Sequence, residues 1–263
     1  MPIGSARMPL LDHLGELRRR LTIVVLSLAV TAVVLYNATP TIIDVLMDPI
    51  RSVLPDGSSL TVLTLLGGFT IRFKVACFVA IIVCTPIIIW EVMAFFLPAL
   101  KESERRWVIP TVAALVALFF IGMLFCYFVA LRTAFGWMID QTTGFATATV
   151  NAEDYLNIEM LLEIAFGIAF EIPLVIFYLS TLHLVPYRSF RESWRYIYVG
   201  LLTLSGIVTP DASPVTMVLL FAALVFLYEI ALAVSRQIII MRDGKEALKW
   251  GRDEYADREL DDD

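Results

Sequence analysis

The chain has 263 residues, of which 59% are hydrophobic and only 17% are charged, whereas soluble domains hold roughly 45–50% apolar and 25% charged residues. This composition excludes a disordered chain and a nucleic-acid-binding protein, and three cysteines are too few for a disulfide scaffold. The net charge of −6 is uneven, because residues 1–242 carry 16 basic and 17 acidic side chains and residues 243–263 carry 4 and 9. We therefore expect one transmembrane domain, residues 1–240, followed by a flexible acidic tail, residues 241–263.

Long apolar runs predict membrane-spanning helices. A helix needs roughly 20 apolar residues to cross the hydrocarbon layer, and lipid offers no partner to unpaired backbone groups. Six runs are found, at residues 21–36, 75–97, 107–131, 155–181, 196–208 and 215–235. The fifth run has an apolar core of only a dozen residues, 197–208, so a re-entrant segment is an alternative there.

The distribution of basic residues predicts the orientation of these spans. Cytoplasmic segments of membrane proteins carry an excess of Lys and Arg. Alternate connections are rich in basic residues and the others are poor, which only an even number of spans with both ends inside can satisfy. We therefore expect an all-α membrane protein with six transmembrane helices and both termini in the cytoplasm. The basic groups are Arg7 and Arg18 to Arg20, then Lys101, Arg105 and Arg106, then Arg188, Arg191 and Arg195, and last Arg236 and Arg242.

The first outer connection is predicted to contain a short amphipathic helix. Within residues 41–54, apolar side chains recur near helical spacing with charged ones between them. Such a helix would lie on the outer surface of the bilayer and cap the bundle.

No enzyme signature is found in the sequence. There is no zinc-protease motif, no nucleotide-binding loop and no plausible pair of nucleophile and base, since His13 and His183 both fall at predicted membrane boundaries. We expect neither catalysis nor a metal or cofactor.

Carboxylates in or beside the spans are the candidate functional groups: Glu91, Glu171 and Glu229 in the spans, with Glu16, Glu104 and Asp211 at the boundaries. An acidic group near the bilayer centre costs a few kcal/mol and needs a partner. Glu171 is the deepest, and either packs as a hydrogen-bonded residue or pairs with a helix of another protein. We favour the second interpretation because Gly167 and Ala169 leave room for a close helix. Glu91 could share that polar layer, whereas an interfacial role is at least as good for Glu229.

Several dispersed motifs occur in an order that resembles the TatC family, the polytopic subunits of twin-arginine protein translocases, from about residue 12 to 236. They are His13-Leu14-x-Glu16-Leu17-Arg18-x-Arg20-Leu21, Asp48-Pro49, Phe95-x-x-Pro98-Ala99-Leu100 with Glu104-Arg105-Arg106, Phe166-Gly167-x-x-Phe170-Glu171-x-Pro173, Thr209-Pro210-Asp211 and Tyr228-Glu229. The resemblance implies a six-helix protein of the cytoplasmic membrane with both ends inside, in agreement with the charge pattern.

The resemblance also implies roles. Members bind the paired arginines of signal peptides on folded cargo, and with single-span TatA and TatB partners they move that cargo by the proton-motive force; self-association is also expected. It assigns signal-peptide binding to Glu16 and Glu104, supported by Arg18, Arg20, Phe95, Pro98 and Leu100. It assigns partner docking to Glu171, with Glu91 in the same polar layer, and an outer structural cap to Pro49 and Asp211. A guanidinium is a planar fork that one carboxylate accepts through two hydrogen bonds, so two carboxylates would select paired arginines over lysines.

The sequence departs from the family pattern at two places. Glu91 stands where members often have Gln, and residues 212–217 lack a Gln that is frequent there. One rival function is a small secondary transporter or proton channel that uses Glu91 and Glu171. Against it, we expect no cation to match these carboxylates in mid-membrane, and no pair of interrupted helices is evident. A second rival is a purely structural assembly scaffold.

Overall fold

The computed structural model describes residues 10–55, 59–97, 105, 107–142, 149–181, 185–209 and 213–250. Two short strands, β1 (Ser59–Thr61) and β2 (Thr149–Asn151), pair in a two-stranded sheet. The helices are α1 (Leu10–Leu35), α2 (Thr39–Leu46), α3 (Asp48–Arg51), α4 (Gly67–Phe96), α5 (Val108–Phe125), α6 (Leu131–Thr142), α7 (Ala152–Ala169), α8 (Ile172–Thr181), α9 (Tyr187–Glu192), α10 (Trp194–Val208) and α11 (Pro214–Asp243). Turns of 3-10 helix cover Tyr36–Ala38 and Lys245–Lys249, and a π-helical turn, Cys126–Ala130, joins α5 to α6.

The six predicted spans are confirmed. Among the described residues, five helical stretches are long and apolar enough to cross a membrane, and α10 is a shorter apolar helix. Its 15 residues extend about 22 Å at 1.5 Å per residue, less than the roughly 30 Å hydrocarbon layer. The predicted amphipathic helix forms as two pieces, α2 and α3, interrupted at Met47.

Helices extend beyond the apolar runs at the first and last spans. Helix α1 begins at Leu10 and so includes the three consecutive arginines, since Arg, Leu and Glu all favour helix. Helix α11 begins after Ser213, whose hydroxyl oxygen accepts a 3.2 Å hydrogen bond from the Val215 amide. It ends at Asp243 and is capped by Gly244, whose φ of +87° is a conformation that glycine adopts readily.

The fourth span is broken near its middle. Pro173 has no N–H to donate to the carbonyl four residues earlier, so the regular pattern stops between α7 and α8. The Glu171 amide instead donates to the Ile168 carbonyl at 3.1 Å, and the Leu174 amide donates to the Glu171 carbonyl at 3.1 Å. Glu171 therefore lies at the break itself.

The chain forms two compact units, and the single domain expected over residues 1–240 stays a prediction. Unit 1 comprises Met1–Met47, Thr61–Ala117 and Asn151–Leu156. Within it α1 packs along α4, and α2 also contacts α4. The buried Tyr155 hydroxyl donates a 2.8 Å hydrogen bond to the Leu46 carbonyl, and Lys74 pairs with Glu153 at 3.0 Å.

Unit 2 comprises Asp48–Leu60, Leu118–Val150 and Asn157–Asp263. Helix α11 contacts α6, α8 and α10 there, and α3 contacts α6. The turn at Lys245–Lys249 packs against α9 and α11, with Ala247 buried. The part of the predicted tail that the structure describes, up to Trp250, therefore lies against the helices.

Two glycines in unit 2 let α5 and α7 approach closely. A Cβ atom on Gly122 would lie 2.7 Å from the Phe166 carbonyl oxygen and 3.1 Å from the Gly167 Cα. A Cβ atom on Gly167 would lie 2.7 Å from the Phe119 ring. Small residues at such crossings are a principal source of helix association in membranes.

We predict that Gly122→Ala destabilises the protein by about 1–3 kcal/mol, because the added methyl group meets a backbone oxygen that cannot move away without shifting a helix. The measurement is the midpoint temperature at which the detergent-solubilised protein loses its monodisperse elution peak. Gly200→Ala is the matched control, since a Cβ atom there meets open space.

The control should leave the midpoint unchanged or raise it slightly, since Ala favours helix over Gly. Equal midpoints for Gly122→Ala and Gly200→Ala would contradict the close crossing of α5 and α7.

Candidate functional site

A cluster of charged side chains joins the first two spans within unit 1. Glu16 and Arg20 are four residues apart on α1 and therefore lie on one face of it. Arg20 donates to Glu16 Oε1 from Nε at 3.1 Å and from Nη2 at 2.5 Å. Its Nη1 donates to Glu91 Oε2 on α4 at 2.9 Å. One guanidinium thus bridges two carboxylates that belong to different helices.

The cluster is partly shielded from its surroundings. The side chains of Arg20, Glu16 and Glu91 are 22%, 23% and 14% exposed. They line a cavity of about 160 Å³ together with Arg19 and Ile23, roughly ten times the minimum of about 10–15 Å³ that holds one water. The cavity therefore has room for another polar group next to the Glu16 carboxylate.

The other residues predicted to bind signal peptides are only partly described. Arg18 has an exposed side chain on α1, and Phe95 is half-buried on α4, one turn beyond Glu91. Of the two residues predicted for the outer cap, Pro49 is buried in α3. It lies beside the exposed Asp48, which pairs with Arg132 at 3.3 Å. Pro98, Leu100, Glu104 and Asp211 lie outside the described residues.

Glu91 has a cation partner, which was not expected from the sequence. The expectation that no cation matches the intramembrane carboxylates is wrong for Glu91, because Arg20 reaches it from the neighbouring helix. Opposite charges at the start of the first apolar run and within the last turns of the second were the signal that could have predicted this pair.

Glu171 has no such partner among the residues that the structure describes. Both of its carboxylate oxygens are buried and accept no hydrogen bond from the described residues. The room at Gly167, however, is filled by Phe119 of the chain itself, so Gly167 does not provide space for a partner helix as expected. What remains at the helix break is a carboxylate whose hydrogen-bonding capacity the described residues leave unused.

Two further carboxylates in the fourth span were not predicted from the sequence. Glu159 and Glu163 lie one turn apart on α7 and are 0% and 3% exposed. Their spacing of four residues within an apolar run was the available signal, since acidic residues inside spans almost always face the protein interior.

Glu229 has a structural role in unit 2. It accepts hydrogen bonds from Arg191 Nη1 at 2.9 Å and from the Tyr198 hydroxyl at 2.8 Å. The Tyr228 hydroxyl next to it donates to the Phe190 carbonyl at 3.1 Å. These contacts attach α9 and α10 to α11, which fits the interfacial interpretation.

The helices and the cluster of Arg20, Glu16 and Glu91 define the class of the molecule. It is a polytopic α-helical membrane protein with an arginine–carboxylate bridge between its first two spans. Residues 12–222 match the family described as "Sec-independent protein translocase protein (TatC)". The chain belongs to the TatC family.

Individual relatives agree with this assignment. The chain is similar to the "Sec-independent protein translocase protein TatC" of Deinococcus radiodurans, with 31% identity over 89% of this chain and 88% of that protein. It is also similar to the protein of that name from Escherichia coli (strain K12), with 31% identity over 87% and 88%. A solved structure, "Crystal Structure of Twin Arginine Translocase Receptor- TatC", superposes with a TM-score of 0.72 at 28% identity, over 86% of this chain and 99% of that chain.

Proposed function

We propose that this chain is the subunit of a twin-arginine translocase that binds the paired arginines of signal peptides. One observation carries the proposal: the Glu16 carboxylate already holds a guanidinium, that of Arg20, at the edge of a cavity with room for another group. The likeness to a solved twin-arginine translocase receptor supports the same function.

Two carboxylates account for the selection of paired arginines. Glu16 accepts one guanidinium and Glu104 accepts the other, each through charge-assisted hydrogen bonds. Lysine, a point charge without the planar fork, fits such acceptors less well. Arg18, Phe95, Pro98 and Leu100 support the two acceptors, and Arg20 belongs to the site through its hydrogen bonds to Glu16. Pro49 and Asp211 belong to the outer cap.

The setting of this site follows from the charge pattern. The chain crosses the cytoplasmic membrane six times with both termini inside, so that Glu16 and Glu104 face the compartment in which folded precursors wait. TatA-type and TatB-type single-span proteins are the partners, and the proton-motive force drives transport.

Glu171 is the docking residue for a partner helix in this proposal. Its buried carboxylate oxygens accept no hydrogen bond from the described residues, and a polar group in lipid gains from a partner on another helix. A transporter that uses Glu91 and Glu171 is not favoured, because Glu91 is held in an ion pair with Arg20.

We predict that Glu16→Gln and Glu104→Gln each weaken the binding of a twin-arginine peptide by about ten- to a hundredfold, the loss expected for a hydrogen bond to a charged group. The measurement is a titration of fluorescent peptide against the protein in nanodiscs. Glu192→Gln is the control, since that exposed carboxylate pairs only with Arg188, on its own helix, among the described residues.

A peptide with paired lysines should bind weakly to every variant. Wild-type affinity in both Glu16→Gln and Glu104→Gln would contradict the proposed receptor site.

A second prediction separates docking from peptide binding. Glu171→Leu should leave peptide affinity within about twofold of wild type, since a change of less than about 0.5 kcal/mol is expected for a site with no contact to the peptide. The same variant should lose most of its copurifying single-span partner proteins, measured by quantitative mass spectrometry of detergent extracts. Normal copurification combined with lost peptide binding would reverse the assignment.

A further inference from the structure

The bridge made by Arg20 places a competitor beside the proposed acceptor of the signal peptide. Arg20 belongs to the chain itself, and its guanidinium donates two hydrogen bonds to the Glu16 carboxylate. An incoming arginine therefore meets a carboxylate that is already in use, and its affinity depends on how firmly Arg20 is held there.

The two carboxylates around Arg20 each have unused capacity. Both hydrogen bonds from Arg20 to Glu16 end on Oε1, and Oε2 accepts none from the described residues. Likewise, Arg20 reaches only Oε2 of Glu91, and Oε1 of that residue accepts none from the described part of the chain. A second guanidinium can therefore donate its first hydrogen bond to Glu16 Oε2. Arg20 can at the same time leave Glu16 and donate to both carboxylate oxygens of Glu91.

The charges in the bridge favour such an exchange. Glu16 and Glu91 together carry two negative charges against the single positive charge of Arg20. Without Glu91, Glu16 would be the only carboxylate left to Arg20 in this bridge, and the partly shielded pair would resist separation. With Glu91, Arg20 keeps a charged partner after it gives up Glu16.

We propose that Glu91 is a positioning residue: by sharing Arg20, it keeps the Glu16 carboxylate available to an arginine of the incoming signal peptide. The proposal rests on the proposed function, since it concerns the same acceptor. It gives Glu91 a task in peptide binding in addition to the polar layer to which the sequence assigned it.

The first test is the Glu91→Gln variant of the full chain in nanodiscs, titrated with a fluorescent twin-arginine peptide. Affinity should fall about three- to tenfold, because Arg20 is then left to Glu16 alone. Glu229→Gln is the matched control, since it also removes a carboxylate from an arginine pair, but in unit 2. It should bind the peptide as wild type does.

The second test adds Arg20→Gln to Glu91→Gln. If Arg20 is the competitor, its removal frees Glu16 and affinity returns towards the wild-type value. A merely structural role of Glu91 would make the double variant at least as weak as Glu91→Gln, and that result would overturn the proposal. Wild-type affinity in Glu91→Gln would overturn it as well.

The third test needs no peptide. Carbodiimide labelling of the Glu16 carboxyl, quantified by mass spectrometry of protease fragments, reports how available that group is. Labelling should fall in Glu91→Gln and recover in the double variant, whereas equal labelling in all three proteins would overturn the exchange. If the wild type binds no twin-arginine peptide, the proposed function fails, and the labelling still decides whether Glu91 controls access to Glu16.

Discussion

The ion pair of Arg20 with Glu16 and Glu91 is the polar contact on which the candidate site depends. Helix α1 is otherwise largely apolar, and many of its side chains are exposed in the isolated chain, among them Val25 at 56% and Val33 at 75%. Lipid covers such side chains in a membrane, so apolar burial alone gives α1 little preference for one rotation against α4. The Arg20 charge restricts that rotation, because its guanidinium reaches the Glu91 carboxylate only when this face of α1 is turned towards α4.

The same contact has consequences for the chemistry of the site. Glu16 is held by the residue one turn further along its own helix, so an incoming guanidinium meets a carboxylate that Arg20 already occupies. The structural pair and the proposed recognition site are therefore two uses of one carboxylate.

Glu171 lies at a break in the backbone hydrogen-bonding pattern of the fourth span, in unit 2. Pro173 interrupts the helix, and the Glu171 amide then bonds to the third rather than the fourth preceding carbonyl. The side chain lies at this break with no hydrogen bond from the described residues. An acidic residue in such a position is costly for the isolated subunit, and this cost is the physical reason to expect a partner there.

Hydropathy predicted much of the fold because lipid imposes strong constraints on the length of apolar segments. The six spans, the short fifth helix and the helical first connection all followed from the length and spacing of apolar runs. Pair contacts did not follow, since span assignment says nothing about which face of α4 meets α1. The partner of Glu91 and the filling of Gly167 by Phe119 depend on helix rotation and crossing distance, which no single run encodes. The motifs predicted Glu16 at the site, but not that Arg20 would occupy it.

A structure of the chain in a nanodisc with a bound twin-arginine peptide would test the central claim most directly. We expect a peptide guanidinium on Glu16 and the Arg20 guanidinium on Glu91 alone. A peptide bound with Arg20 still on Glu16, and with its own arginines away from that carboxylate, would contradict the claim.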